Sequence, residues 1–478
     1  MATVNAGARL DRLPISSFHH RIFWLIGAGM FFDGYDLYVG TTVLGAALQS
    51  GFSTLAKNAQ FVSLTFLGMT IGSFIAGFLG DRYGRRFTYQ FNLLVFGLAS
   101  FAAALSPDMD TLIWARFVIG LGLGAEIVVG YSTLTEFVPP RVRGRWLASM
   151  AFIVVSGLPV TVLLGTLIIP SVNAWGAGAA KDTSNFLAVL LPGLGWRLMF
   201  VIAGIGAFVV WYLRKALPES PRWLEAQGRL DEAEALLQTI EREAATAGPL
   251  PTPAASTPLP PFSLASLITP SLLPRMVVGC VTLISINTLI FGFVLWLPQF
   301  FIQQGLSIAR SFAFTLIISL GSIAGCAVGA AVADRLGRRR SIIGASVLTI
   351  VFGAIYPFVA APWLLLATGV LLVISIYVQV SILFGVYTPE LFPTEVRLRA
   401  NGICNTLGRA ATIVSPFIVI ALFKGYGVAG VLGLMIALLL IQIVVVALWG
   451  IEPAQRRLEE LEDAAPRGPD AAPRPVQA

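Results

Sequence analysis

The chain is poor in charge. Of its 478 residues only 12% are Asp, Glu, Lys or Arg, against about a quarter in a soluble domain. With 56% hydrophobic residues gathered in long runs, this excludes an ordinary water-soluble protein and places the bulk of the chain in lipid. Cysteine is scarce too: Cys280, Cys326 and Cys404 all lie in apolar runs, with neither a disulfide framework nor metal-ligand spacing among them. The two histidines, His19 and His20, precede the first apolar run without Cys or acidic companions. No nucleophile–base pair or metal constellation is visible, so the reading is of a protein that is not an enzyme and uses no cofactor.

What is abundant is the apolar run. Twelve can be counted, near 22–44, 61–79, 87–105, 112–135, 146–169, 198–217, 276–301, 312–333, 342–359, 363–387, 403–423 and 428–449. Backbone polar groups inside a bilayer must be satisfied internally, which leaves helices or a closed barrel. The runs are continuous rather than alternating, which selects helices. The expected fold is an all-α membrane protein with twelve transmembrane helices.

The formal net charge of +7 does not indicate nucleic acid. The arginines cluster in short loops after runs 2, 4, 8 and 10, from Arg82, Arg85 and Arg86 through Arg141, Arg143 and Arg145 to Arg335, Arg338, Arg339, Arg340, Arg397 and Arg399. The positive-inside rule makes that side cytoplasmic, with both termini inside.

Two segments repeat in step. Gly77-Phe78-Leu79-Gly80-Asp81-Arg82-Tyr83-Gly84-Arg85-Arg86 returns as Ala333-Asp334-Arg335-Leu336-Gly337-Arg338-Arg339-Arg340, and Glu136-Phe137-Val138-Pro139 returns as Glu390-Leu391-Phe392-Pro393. Asp81 and Asp334 are 253 residues apart, Glu136 and Glu390 254. A nearly shared offset means two similar halves, each a bundle of six helices. The expected organisation is an N-terminal segment (1–20), a first bundle (21–217), an inter-bundle loop (218–274), a second bundle (275–450) and a disordered tail (451–478). Within the loop, residues 229–243 read as an amphipathic helix with Leu230, Ala233, Leu236, Leu237 and Ile240 on one face. Residues 246–261, rich in Pro, Ala and Thr, read as a flexible linker.

Ionisable residues well inside the runs are few: Asp33, Asp36, Arg116, Glu126 and Arg409. A charge at the centre of a membrane helix costs about 2.5–3.5 kcal/mol even on mild insertion scales, so each marks a candidate functional site. Desolvated carboxylates can take up and release protons, which makes Asp33, Asp36 and Glu126 the candidates for proton coupling. Arginine holds anions through paired hydrogen bonds, which points to Arg409, with Arg116, as the anion site. Asn287, Tyr377 and Gln379 supply neutral polar groups at similar depth.

The repeated G-x-x-x-D-R-x-G-R-R segment resembles the loop 2–3 signature of the major facilitator superfamily, and Arg116-Phe117-Val118-Ile119-Gly120 resembles its helix-4 R-x-x-x-G signature. The resemblance implies alternating access between two pseudo-symmetric bundles. It also implies a conformational clasp built from Gly77, Asp81, Arg82, Gly84, Arg85, Arg86 and Glu136 in one half, and Asp334, Arg335, Gly337, Arg338 and Glu390 in the other. Within the superfamily, Asp33-Gly34-Tyr35-Asp36 looks like the D-G-x-D segment of the aromatic acid:proton symporters. Gly122-Leu123-Gly124-Ala125-Glu126 resembles the G-x-x-x-E form of nicotinate and phosphate symporters. Pro218-Glu219-Ser220-Pro221-Arg222 is shared with sugar porters and organic-ion transporters. The paired glutamines of sugar porters and the G-P-x-x-G-G signature of drug exporters are replaced here by Gly157-Leu158-Pro159 and Ser285-Ile286-Asn287. The implied activity is proton-coupled import of a small organic anion, such as an aromatic or other carboxylate, by a monomer in the plasma membrane whose partners are its substrate, protons and lipid. The alternatives are a carrier of an organic cation, sugar or phosphate, or a non-transporting receptor on the same scaffold.

Overall fold

The computed structural model describes residues 4–179, 190–252, 269–270, 272–392 and 397–452. Ten of their helical segments are long and apolar enough to cross a bilayer. One of these breaks at Gly427, where φ is 64° and ψ −155°, into two spans. The twelfth span is the first helix, 33 residues long, which carries both Asp33 and Asp36. The helices are α1 (Ser17–Gln49), α2 (Leu55–Tyr83), α3 (Arg85–Ala104), α4 (Met109–Phe137), α5 (Pro140–Ala179) and α6 (Leu194–Leu213) in the first bundle. The second holds α7 (Leu273–Gly292, continued by Leu297–Gln303), α8 (Ile308–Leu336), α9 (Arg338–Ile355) and α10 (Pro362–Ile382), with Arg397–Trp449 supplying α11 before Gly427 and α12 after it. The linker from 253 to 261 and the tail from 453 lie outside the described residues.

The duplication is visible in the packing. In the first bundle α1 lies on α5 and α2 on α4; in the second α7 lies on α11 and α8 on α10. The bundles meet through α2 against α11 and α5 against α8. Small residues permit the closest crossings. A Cβ on Gly72 would run into the Leu121 carbonyl, and one on Gly124 into the Met69 carbonyl, so α2 and α4 touch backbone to backbone. Gly77 of the expected clasp is different: nothing lies near the Cβ it lacks, so it makes no close helix crossing.

Toward the face away from the arginines, α1 packs on α7. The missing Cβ of Gly45 faces Ile302 at 3.3 Å and Pro298 at 3.4 Å, and that of Gly40 faces Leu295 at 3.8 Å. Phe66 of α2 meets Phe291 of α7 edge to face at 4.5 Å. That end of the inter-bundle seam is closed. Cys280 of α7 and Cys404 of α11 sit with their sulfurs 3.6 Å apart inside the second bundle.

Candidate functional site

The intramembrane charges of the first bundle form a ladder along α1. At one rung the Asp36 carboxylate is ion-paired with Arg116 of α4, both fully buried. Arg116 also donates to the Asp36 carbonyl (3.3 Å) and the Thr65 hydroxyl (3.4 Å) and stands over the Phe61 ring at 4.9 Å. At the other rung Glu126 of α4 is ion-paired with Arg214, which follows the last turn of α6. Arg214 donates as well to two α1 carbonyls, Leu25 (3.0 Å) and Ile26 (2.9 Å), and lies over the Tyr89 ring at 4.4 Å. The guanidinium reaches α1 because Gly29 has no side chain; a Cβ there would overlap it and come within 2.9 Å of Glu126.

Asp33 lies between these rungs. It is one turn beyond Gly29 and three residues before Asp36, so it shares their face of α1. It is 2% exposed, and neither carboxylate oxygen has a hydrogen-bond partner among the described residues. The charged groups that face it are Glu126, Arg214 and Asp36. The three acids expected to couple protons are thus unequal: two are locked to arginines and one is not. Arg116, expected to help hold a substrate, is committed to Asp36.

Arg409 of α11 has no carboxylate within ion-pairing distance among the described residues. It is half-buried at the inter-bundle seam and donates through Nη1 to the Ser73 hydroxyl of α2 at 2.9 Å. Tyr131 of α4 faces it electrostatically. Two further hydrogen bonds between described residues join the bundles: Tyr377 to Tyr38 (3.2 Å) and Asn58 to Gln299 (2.8 Å). Of the neutral candidates, Tyr377 therefore faces the seam. Asn287 sits where α7 meets α11, donating to the Leu283 carbonyl at 2.7 Å, with its Nδ2 against Gly408. Gln379 is a correction. Two residues along a helix turn the side chain by about 200°, so it points away from the face that carries Tyr377. It is buried inside the second bundle, donating to Thr349 (3.0 Å) and accepting from Gln442 (2.8 Å) and Ser346 (3.1 Å).

The two clasps have one geometry, one in each half. Arg85 pairs with Glu136 at 2.8 Å and donates to the Gly80 carbonyl at 2.7 Å; Arg338 pairs with Glu390 at 3.3 Å and donates to the Ala333 carbonyl at 3.1 Å. Each of these contacts stays within its own bundle. Gly84 and Gly337 turn the chain between helices at φ of 92° and 88°, a region that favours glycine. The Asp81 side chain is 83% exposed and only 3.4 Å from Arg85 at its nearest, so Glu136 is the stronger anchor. Arg82 lies against the Tyr83 ring at 5.5 Å, and Arg335 is exposed. The Asp334 side chain lies outside the described residues.

On the same face, the amphipathic helix of the inter-bundle loop forms over Leu230–Ala245. Its buried residues Ala233, Leu237, Ile240 and Ala244 face inward, the last three sharing a core with Ala6, Leu10 and Leu13 of the N-terminal segment. That segment contains a helix, Ala6–Asp11, at whose start the Asn5 and Ala6 amides donate to Glu225 at 2.8 and 2.9 Å. Arg9 bridges Glu234 (2.5 Å) and Glu241 (2.7 Å), and Asp11 bridges Arg222 (2.6 Å) and Arg143 (3.2 Å). The Arg9 guanidinium holds both glutamates below the usual carboxylate range.

A family-wide sequence profile described as "Sugar (and other) transporter" matches residues 25–465. The chain belongs to this family. It is 33% identical over 471 residues to the inner membrane metabolite transport protein YdjE of Escherichia coli, covering 96% of this chain and 98% of that one. It is 28% identical to the niacin transporter NiaP of Acinetobacter baylyi, over 95% and 99% of the two chains. Among solved structures it is similar to the xylose transporter XylE from E. coli in a partially occluded inward open conformation, with a TM-score of 0.66 and 19% identity over 91% of this chain and 99% of that one. That likeness shows the fold. The protein is a multi-pass membrane protein, a secondary transporter of the major facilitator type.

Several residues that shape the transporter's site escaped the sequence reading. Arg214 ends an apolar run and reads as one more loop arginine. Gly29 reads as one small residue among many. Glu219 was visible only as part of a shared loop, and Glu452 as the start of a charged tail. The N-terminal segment has too few residues for a periodic signal, and only its contacts disclose the helix.

Proposed function

We propose that this transporter imports a small organic anion together with protons, with its arginine-rich face and both termini cytoplasmic, in the inner membrane of a bacterium. The observation that carries the reading is Arg409: an arginine at the seam of the two bundles whose described partner is a neutral hydroxyl from the opposite bundle. The intramembrane acids are either paired with other arginines or, like Asp33, lie away from it, so its charge is open to a ligand.

A carboxylate docking on Arg409 in two parallel hydrogen bonds replaces the bond to Ser73. Substrate binding then removes one of the links between α2 and α11, which frees the bundles to rock about the seam. Asp33 supplies the proton site: a buried acid without a fixed partner gains and loses its proton as water reaches it from either side. The relative named a niacin transporter supports this reading, niacin being a small carboxylate. Another relative, 25% identical, is named an arabinose-proton symporter, which makes sugars the necessary comparison.

The test is uptake into proteoliposomes from a panel of monocarboxylates, phosphate, pentoses and organic amines, with and without a pH gradient. Monocarboxylate uptake stimulated by an acidic exterior is expected. Uptake confined to sugars or amines would overturn the reading.

A further inference from the structure

The buried charges around the middle of α1 do not balance, the other buried arginine of the first bundle, Arg197, lying apart at the start of α6 on the Leu190, Ala104 and Ser106 carbonyls. The described ionisable groups along residues 25–38 of α1 are Asp33, Tyr35, Asp36 and Tyr38 on the helix itself, Tyr89 on α3, Arg116 and Glu126 on α4, Arg214 at the end of α6 and Tyr377 of α10, bonded to Tyr38; α5 meets α1 with the backbone of Val154 and Gly157. The tyrosines are neutral at physiological pH. Three acids therefore face two arginines, and Asp33 is the acid left without an ion pair. In a low-dielectric interior an uncompensated charge is far more costly than a paired one.

We propose that Arg214 is a positioning residue of the proton site: by holding Glu126 as an ion pair it leaves Asp33 the single acid that must bind a proton, so that one proton accompanies each monovalent anion and no net charge crosses. This rests on the proposed anion substrate. Arg409 extends the balance. With an anion on Arg409 that arginine's charge is cancelled, and a protonated Asp33 brings the charges of the α1 ladder and Arg409 with its anion to zero. Empty, the positive Arg409 and an ionised Asp33 again sum to zero. Loaded and empty carriers can both reorient without moving charge, whereas a half-loaded carrier cannot. Arg214 is fixed for this task by four elements: the Glu126 carboxylate, the Leu25 and Ile26 carbonyls, the Tyr89 ring and the space at Gly29.

Two measurements test this. The first needs no substrate: infrared titration of the purified full-length protein, following the C=O stretch of protonated buried carboxyls. Wild type is expected to show one such group, lost in Asp33→Asn and retained in Asp36→Asn, because Arg116, unlike Arg214, is not among the charged groups that face Asp33. Glu126→Gln frees Arg214 to compensate Asp33, so the band is lost there as well. Arg214→Gln leaves Glu126 uncompensated and adds a second band. The double variant Glu126→Gln/Arg214→Gln removes both charges of the rung and restores the single Asp33 band. A merely structural role for the pair predicts no such restoration, and a double variant that resembles either single one overturns the proposal.

The second is accumulation of nicotinate, as a monocarboxylate probe, in proteoliposomes. A pH gradient of one unit is expected to support about tenfold accumulation, against about a hundredfold for two protons, and an imposed membrane potential is expected to add nothing. Accumulation that follows the potential overturns the proposal while leaving the anion reading intact. If no monocarboxylate moves, the anion reading falls, the stoichiometry falls with it, and the infrared result decides the role of Arg214.

Discussion

Glu219 and Arg85 are joined through the main chain: the Glu219 carboxylate accepts from the backbone amides of Arg85 at 2.8 Å and Arg86 at 3.2 Å, at the first turn of α3. Glu452 does the same for Arg338 at 2.7 Å and Arg339 at 3.0 Å, at the first turn of α9. A helix start exposes unbonded amides and partial positive charge, and a carboxylate satisfies both. Glu219 and Glu452 are 233 residues apart, against 253 for Arg85 and Arg338. The twenty-residue difference fits the tight turn at Gly427, which joins α11 to α12 directly where the first half spends a longer segment between α5 and α6. Each cap is expected to stabilise its helix by about 0.5–2 kcal/mol. Glu219→Gln and Glu452→Gln should each lower the melting temperature, and Glu136→Gln should lower it more than Asp81→Asn, whose side chain is exposed. Equal melting temperatures for the last two would remove Glu136 as the anchor of Arg85.

The Asp36–Arg116 pair allows a sharper test. Removing one partner of a buried pair leaves the other charge uncompensated, at about 3–5 kcal/mol, whereas removing both together costs far less. Asp36→Asn and Arg116→Gln should each reduce thermal stability strongly in detergent. The double variant should recover most of the loss. Additive losses in a double-mutant cycle would mean that the two residues act independently, against the geometry.

How far the structure could be read from the sequence follows from which signals are periodic. Twelve apolar runs and two copies of D-R-x-G-R-R carry the fold, because lipid imposes continuous helices and a repeated motif imposes a repeated bundle. The residues of the candidate site were also visible, since any charge in an apolar run stands out. Their pairings were not. Asp33 and Asp36 look equivalent on paper, and only the positions of α4 and α6 show that Arg116 takes one and Arg214 passes the other by. Tyr377 and Gln379 looked alike in depth, yet helical rotation sends them to opposite sides of α10. Long-range partners such as Glu219, Glu452 and Arg9 left no local trace, because each acts on backbone or charge far away in the chain.

The strap formed by the N-terminal segment has a defined pH range. Glu234 and Glu241 are held below their ordinary titration range, chiefly by hydrogen bonds from Arg9. A carboxylate depressed on folding contributes stability that is fully present above its unfolded pKa, about 4.3 for glutamate, and is lost as pH falls through the folded value. The strap should therefore be insensitive to pH between about 5 and 8 and loosen only under stronger acid. Hydrogen exchange of residues 4–16 measures this directly. Arg9→Ala should raise exchange at neutral pH, and a strap that loosens already at pH 6 would need another titrating group.

Arg409 decides the sign of the substrate. Three roles can be told apart: an anion clamp, a structural ion pair, and a side chain that only reaches for the membrane surface. The structure gives Arg409 a hydroxyl partner, Ser73, which itself donates to the Met69 and Gly124 carbonyls at 2.7 and 2.9 Å. No acid is orphaned when Arg409 is removed, so Arg409→Gln should fold and melt close to wild type, unlike Arg116→Gln. Arg409→Lys keeps the charge but loses the planar fork that meets a carboxylate with two parallel hydrogen bonds. As an anion clamp, Arg409→Lys should weaken binding of a carried monocarboxylate roughly tenfold, the loss of a charge-assisted bond of about 1.5 kcal/mol, and Arg409→Gln should weaken it further. A side chain that merely snorkels would be replaced silently by lysine. The measurement is substrate binding to the three purified proteins alongside their melting curves. Unchanged affinity in both variants would remove the anion clamp, and an organic cation would become the better account of the substrate.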